Sequence, residues 1–406
     1  MNKPIIANVL KLALTTSLLC TTSFVHAVSC TGTPADPKGS VSQLKDALQL
    51  ATNTGTPLRI TGTYNISTDI KIYLRKDLIV DATGATFNGT SSLDGDMFSF
   101  DAHETKSKEC GAGTAKMNFT WKGGSFDMAD AKVSTVVPYT SLTPANKQGT
   151  KSTADALSVR GYANSLHKLD ELLIENITFT GTQSSSDPYH LAGGDSGILM
   201  TGALKATIRN NNFYGVRDAA IYVSASAGTG GDSTWGDHYT MHGNYIERAF
   251  DGITSKRGAD NIQMYNNTLE DVNVGLSIKR VFSGSSWTAT NVTIRNNDID
   301  TAGRAISLER TNNATIKDNN ITNLGAQVGN NNNNRNKYGS QYEGISLNGV
   351  QGATITNNDI VGVTGSRQSS TTTWGIVHRS DDGRSTTSIT KTGNTFSNLD
   401  NNTKYQ

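Results

Sequence analysis

FDGITSKRGADNIQMYNNTLEDVNVGLSIKR, residues 250–280, holds two short segments, DGITSKR (251–257) and VGLSIKR (274–280), each closing on a Lys-Arg pair. Placing Ile253 on Leu276 puts Lys256 on Lys279 and Arg257 on Arg280, an offset of 23 residues. That offset is the length of a repeat unit rather than of a single helix or hairpin, and units of this length stack into solenoids. A row of Lys-Arg pairs on one solenoid face points to an extended anionic ligand.

The unit recurs outward from this stretch. One half reads small-Ile in SGILMT (196–201), AAIYVS (219–224), RAISLE (304–309), EGISLN (343–348) and WGIVHR (374–379). The other half reads apolar-x-Asn-Asn in TIRNNNF (207–213), MYNNTL (264–269), TIRNNDI (293–299), TIKDNNI (315–321) and TITNNDI (354–360), with looser copies at 119–126 and 173–179. Such strands are too short to stand alone, but stacked about 4.8 Å apart they bury a common interior column. Asparagine tolerates left-handed backbone and forms hydrogen-bonded ladders, so most of these residues read as structural. The pattern resembles the right-handed parallel β-helix over nearly the whole mature chain. It implies an all-β solenoid, one catalytic domain spanning 28–406 with a cap region at 28–58. Residues 39–53 (GSVSQLKDALQLATN) space Val41, Leu44, Leu48 and Ala51 helically, with Ser40 or Ser42 as N-cap. A short α-helix there covers the open end of the core. Longer spacings predict loops at 226–238, 281–290, 325–341 and 363–373, on one side, walling a groove.

The first 27 residues place Lys3 and Lys11 ahead of or within an apolar run ending Val25-His26-Ala27, the form of a secretory signal peptide. No later run is apolar enough to span a bilayer. The protein is therefore expected to be secreted or periplasmic, a monomer, and without membrane or nucleic-acid partners. The formal charge is +1 and turns slightly negative once Lys3 and Lys11 leave, so anion binding has to be local. Of three cysteines, Cys20 goes with the leader, and Cys30 with Cys110 forms one disulfide. The alternative, lipidation of Cys30, lacks the leucine usual three residues before such a cysteine.

Strand alternation assigns directions. With Ile198, Ile221, Ile253, Leu276, Ile306, Ile345 and Ile376 inward, the residues two later, Met200, Val223, Ser255, Ile278, Leu308, Leu347 and His378, are also inward. Tyr222, Lys256, Lys279, Glu309, Asn348 and Arg379 face out, with Arg257, Arg280 and Arg310 at the strand ends. Charged residues on an outer face are most often simply solvated. Like charges stacked at sheet spacing repel, however, and an uncompensated row of them is better explained by an anion.

An anionic polysaccharide built of uronates is the substrate such a row fits. Cleavage by β-elimination needs a carboxylate neutraliser, a base for the C5 proton and an acid for the C4 oxygen. Lys256, crowded by Arg257, Lys279 and Arg280, is expected to lose its proton more easily and serve as base. Arg257 and Arg280 suit the carboxylate, and Tyr222, one rung earlier, reaches the same sugar. Lys279, Arg310, Glu309, Asn348 and Arg379 are further substrate contacts, and His190 overhangs from a loop.

GITSKRGADNIQMYNNT (252–268) is similar to the β-helical lyases of polysaccharide lyase family 6, the chondroitinase B type, whose strand ends in Ser-Lys-Ser before an Asn-rich turn. That resemblance implies Lys256 as base and Arg280 as acid, with Lys279 competing for the second place. The family's Ca²⁺ rests on acidic residues leading to the lysine; only Asp251 stands here, and Arg257 replaces the second serine. No clear Ca²⁺ ligand set is present, so no cofactor is expected. In layout the chain also resembles the alginate lyases of family 31, which implies Tyr222 and Lys256 as the working pair. An alginate C5-epimerase on the same fold is the nearest alternative, but DPYH (187–190) departs from its Asp-Pro-His-acid motif. A β-helical glycoside hydrolase needs paired carboxylates, which Asp251, Glu309 and Glu343 do not offer. A non-catalytic glycan-binding adhesin would need the cations but no activated lysine.

Overall fold

The computed structural model describes residues 29–102, 110, 116–131, 137–138, 155–161, 168–181, 191–192, 196–225, 236–257, 259–280, 287–326, 341–364 and 372–405. The proposed leader, His190 and most of the four predicted loops lie outside these residues. Within them the chain winds as a solenoid of parallel strands. Among the described residues one sheet has eleven strands, from Leu58–Arg59 to Thr387–Thr392, and the other eighteen. Among the described residues the one antiparallel pairing between strands joins Leu191–Ala192 to Val137–Pro138.

Register follows the sequence repeat. Ile221 pairs with Ile253, Ile253 with Leu276, Leu276 with Ile306, Ile306 with Ile345 and Ile345 with Ile376. All are fully buried, as are Met200, Val223, Leu308 and Leu347 two residues on. The small residue before each isoleucine has a steric cause. A Cβ on Gly275 would stand 2.4 Å from the carbonyl oxygen of Ala305 on the next rung. One expectation needed revision: several rungs use long strands, such as Tyr245–Lys256 and Thr268–Lys279, which bend through a corner without breaking.

The second residue of each of these turns is an Asn, and together they build a ladder. Asn211, Asn244, Asn267, Asn297, Asn319 and Asn358 each donate from Nδ2 to Oδ1 of the next Asn, at 2.8–3.0 Å, and Asn394 accepts the last bond. The residue before each is left-handed: Asn210, Asn266, Asn296, Asp318 and Asn357 have φ of 54–56°, and Gly243 and Gly393 take the same place. Short polar side chains and glycine tolerate that region best.

The helix forms at Val41–Thr54, with Ser40 rather than Ser42 as N-cap and Gly55 closing it in left-handed geometry. Leu44, Leu48 and Ala51 are buried in the core at the solenoid's first turns. Cys30 and Cys110 form the disulfide, closing a sequence separation of 80 residues.

Candidate functional site

The candidate site lies on the outward positions of the small-Ile strands, where each rung repeats the same geometry. Two residues before the inward isoleucine stands one column, and three residues after it another. Across neighbouring rungs these columns meet diagonally as ion pairs. Asp96 pairs with Arg160 of the next rung at 3.6 Å. Asp251 holds Lys279, and both are buried. Glu343 accepts from Arg379 Nη1 at 2.9 Å while Ser346 also accepts from it, and Arg304 Nε lies 2.8 Å from the same carboxylate. Burial alone would raise the Glu343 carboxyl, but the hydrogen bond from Arg379 and the charges of both arginines hold it below its usual value.

Among the described residues the later column holds four bases: Arg160, Lys256, Lys279 and Arg379. Three face an acid on the preceding rung. Lys256 faces Ala219, because Ile221 pairs with Ile253 and Ala219 with Asp251. The Lys256 ammonium lies 5.0 Å from the centre of the Tyr222 ring instead. The Tyr222 hydroxyl is pushed up to about 12, first by burial and then by the charge of Asp218, against the pull of Arg257. Tyr222 therefore holds its proton at neutral pH. Arg257, at φ 67°, places its guanidinium 5.7 Å from the Trp287 ring centre. Thr254 and Ser277, buried between these columns, share a 2.9 Å hydrogen bond.

The row of cations is not the uncompensated one expected. Lys279 is matched by Asp251, and Arg379 by Glu343. Arg280 lies 2.7 Å from Asp381 and also bonds Asp382, in the turn after Thr372–Arg379. Its backbone N–H donates to Glu309 at 3.1 Å. Arg310 lies 3.7 Å from Asp381, and Asn348 accepts from the Arg310 N–H through its main-chain oxygen at 2.9 Å. Of the expected residues, the structure brings together Tyr222 and Lys256, with the charge of Arg257 acting on the phenol. It assigns Lys279, Arg280, Arg310, Glu309 and Arg379 to contacts within the protein. Alternation along a strand says which residues face outward but not how far an arginine reaches across rungs, which is why these acid partners escaped the sequence reading. The signal was present in the spacing of Asp251, Glu343 and Asp96 before their isoleucine or phenylalanine. Among the described residues no three His, Cys, Asp or Glu side chains converge as a metal-ligand set, and no helix is long and apolar enough to cross a membrane.

A comparison with curated protein sequences gives no match. Among solved structures the fold is similar to the A-modules of two mannuronan C-5 epimerases of Azotobacter vinelandii. AlgE6 gives a TM-score of 0.53 at 13% identity, covering 92% of this chain and 96% of that one. AlgE4 gives 0.51 at 13% identity, covering 91% and 96%. At such identity the likeness speaks for the fold alone. Residues 155–372, more than half the chain, match the right-handed β-helix region. With its parallel rungs and its matched segment, the chain belongs to the right-handed β-helix family.

Proposed function

We propose that this protein is a secreted polysaccharide lyase that cuts a uronic-acid polymer, alginate foremost, by β-elimination. The observation that carries the reading is the placement of Lys256. Of the four bases in its column it alone faces an alanine, and it sits over Tyr222. Lys256, as the neutral amine, takes the C5 proton, and charge moves onto the sugar carboxylate, which Arg257 neutralises. The C4–O bond breaks and Tyr222 gives its proton to the departing oxygen. A phenol held protonated suits a donor better than a base. Asp251 on Lys279 fixes the neighbouring ammonium, and Lys256 and Arg257 flank Tyr222, where a uronate would meet all three. None of these steps calls for a metal. Export agrees with the Cys30–Cys110 disulfide, a bond of oxidising compartments.

The test is incubation with polymannuronate, polyguluronate, pectate and glycosaminoglycans, following the ultraviolet absorbance of the unsaturated uronate, with Lys256→Ala as the blank. Absorbance rising on one of the polymers with wild type alone is the expected result. No rise on any polymer sinks the lyase. Exchange of the C5 configuration without chain cutting would instead identify an epimerase using the same two groups on opposite faces of the sugar.

A further inference from the structure

The residues that follow Lys256, Lys279 and Glu309 form one column: Arg257, Arg280 and Arg310. Two of these three arginines are engaged by a single turn far along the chain. After Thr372–Arg379 the backbone makes a tight hairpin in which Asp381 and Arg384 exchange both main-chain hydrogen bonds at 2.9 Å. Its central residues, Asp382 and Gly383, have φ of 45° and 77°. Positive φ at both positions is the Asp-Gly form of a type I′ turn. The turn is pinned from the other side as well. Arg384 donates to Thr288 Oγ1 at 3.0 Å and to Asn312, and a Cβ on Gly349 would stand 2.9 Å from that of Asp381. The Asp381 side chain is 3% exposed and that of Asp382 36%, so one carboxylate is built in and the other lies at the rim.

We infer that the Asp381–Asp382 turn is a substrate mimic. It supplies to Arg280 and Arg310 the carboxylates that a polyuronate would otherwise offer them, and so ends the anion-binding face just beyond Lys256 and Arg257. This rests on the reading of a polyuronate as substrate. Its consequence is a limit on subsites: sugars on the far side of the reacting residue meet the turn's negative charge rather than free arginines. Asp382 thereby becomes a specificity-determining residue for chain length, although it lies 102 residues from Arg280 in sequence.

Asp382→Asn isolates the effect, because Asn-Gly is the most favoured type I′ pair and keeps the turn while removing its outer charge. Binding is measured in a Tyr222→Phe background, which lacks the proton donor but keeps every cation. Polymannuronate and polyguluronate are titrated at low and high salt into that protein, into its Asp382→Asn derivative and into the Asp381→Asn/Asp382→Asn derivative. The expected result is affinity tighter by about three- to tenfold, the scale of one charge-assisted contact, with a steeper salt dependence. Unchanged affinity and salt slope in both derivatives overturn the mimic and leave the lyase reading standing. Absence of binding by all three proteins overturns both.

Discussion

Ala219 separates Lys256 from its repeats. In the three completed diagonals a carboxylate occupies the place that Ala219 takes on the preceding rung, and the base is held against it. Ala219→Asp is therefore expected to build a fourth diagonal. Ala219 is buried and its strand partner Asp251 is itself acidic, so desolvation of the new carboxylate offsets its attraction to Lys256 and stability should not rise, while the elimination rate should fall severely as Lys256 is held against it. A melting curve beside the absorbance assay checks both, and full activity in this variant would remove Lys256 from the mechanism. His378 gives a second residue-scale expectation. It is buried against Tyr405, and burial, reinforced by Lys391, pushes its imidazole down to about 4. The folded state thus binds fewer protons than the unfolded one between that value and the usual histidine pKa of about 6.5. The associated stability is fully present above pH about 6.5 and is lost as pH falls towards about 4. His378→Leu should flatten this part of the melting temperature against pH, and an unchanged acid slope would show that other groups set it.

At the scale of one element, the asparagine ladder is the part whose loss is easiest to measure. Asn267 accepts from both the main-chain and side-chain nitrogens of Asn244, at 3.1 and 3.0 Å, and donates to Met241 and Asn297. All of this is buried. Asn267→Ala strands donors on Asn244 and is expected to cost about 2–4 kcal/mol, since each orphaned buried polar group costs about 1–3 kcal/mol. Asn266→Gly, one residue earlier, keeps the left-handed turn and should cost far less. Denaturant melts of the two variants decide, and equal losses would mean that the turn rather than the ladder holds the rung. These two roles were legible in the Asn-Asn spacing, because every rung repeats them at the same place.

For the whole molecule, the two ends of the core differ. The helix Val41–Thr54 covers the first rungs, whereas on the final described rung Ile389, Phe396 and Leu399 are only partly buried. The disulfide ties Cys30, just before that helix, to Cys110. Cys30→Ser should lower stability by about 2–5 kcal/mol, the range for native bridges closing long loops, and the loss should match that of wild type under reductant. Thermal melts with and without reductant make the comparison. A reductant effect that persists in Cys30→Ser would place the sensitivity elsewhere.

Sequence by itself determined the solenoid, its register, the inward columns, the structural asparagines and the pairing of Cys30 with Cys110. A rung meets its neighbours at a fixed register, so a contact that repeats along the axis leaves a period in the chain. Tertiary structure alone decided which cations are engaged. Lys279 reaches a carboxylate on the preceding rung, and Arg280 meets a turn supplied 102 residues later. Charge pairing depends on how far flexible side chains reach across rungs and on where a distant turn folds back, and neither leaves a period to read.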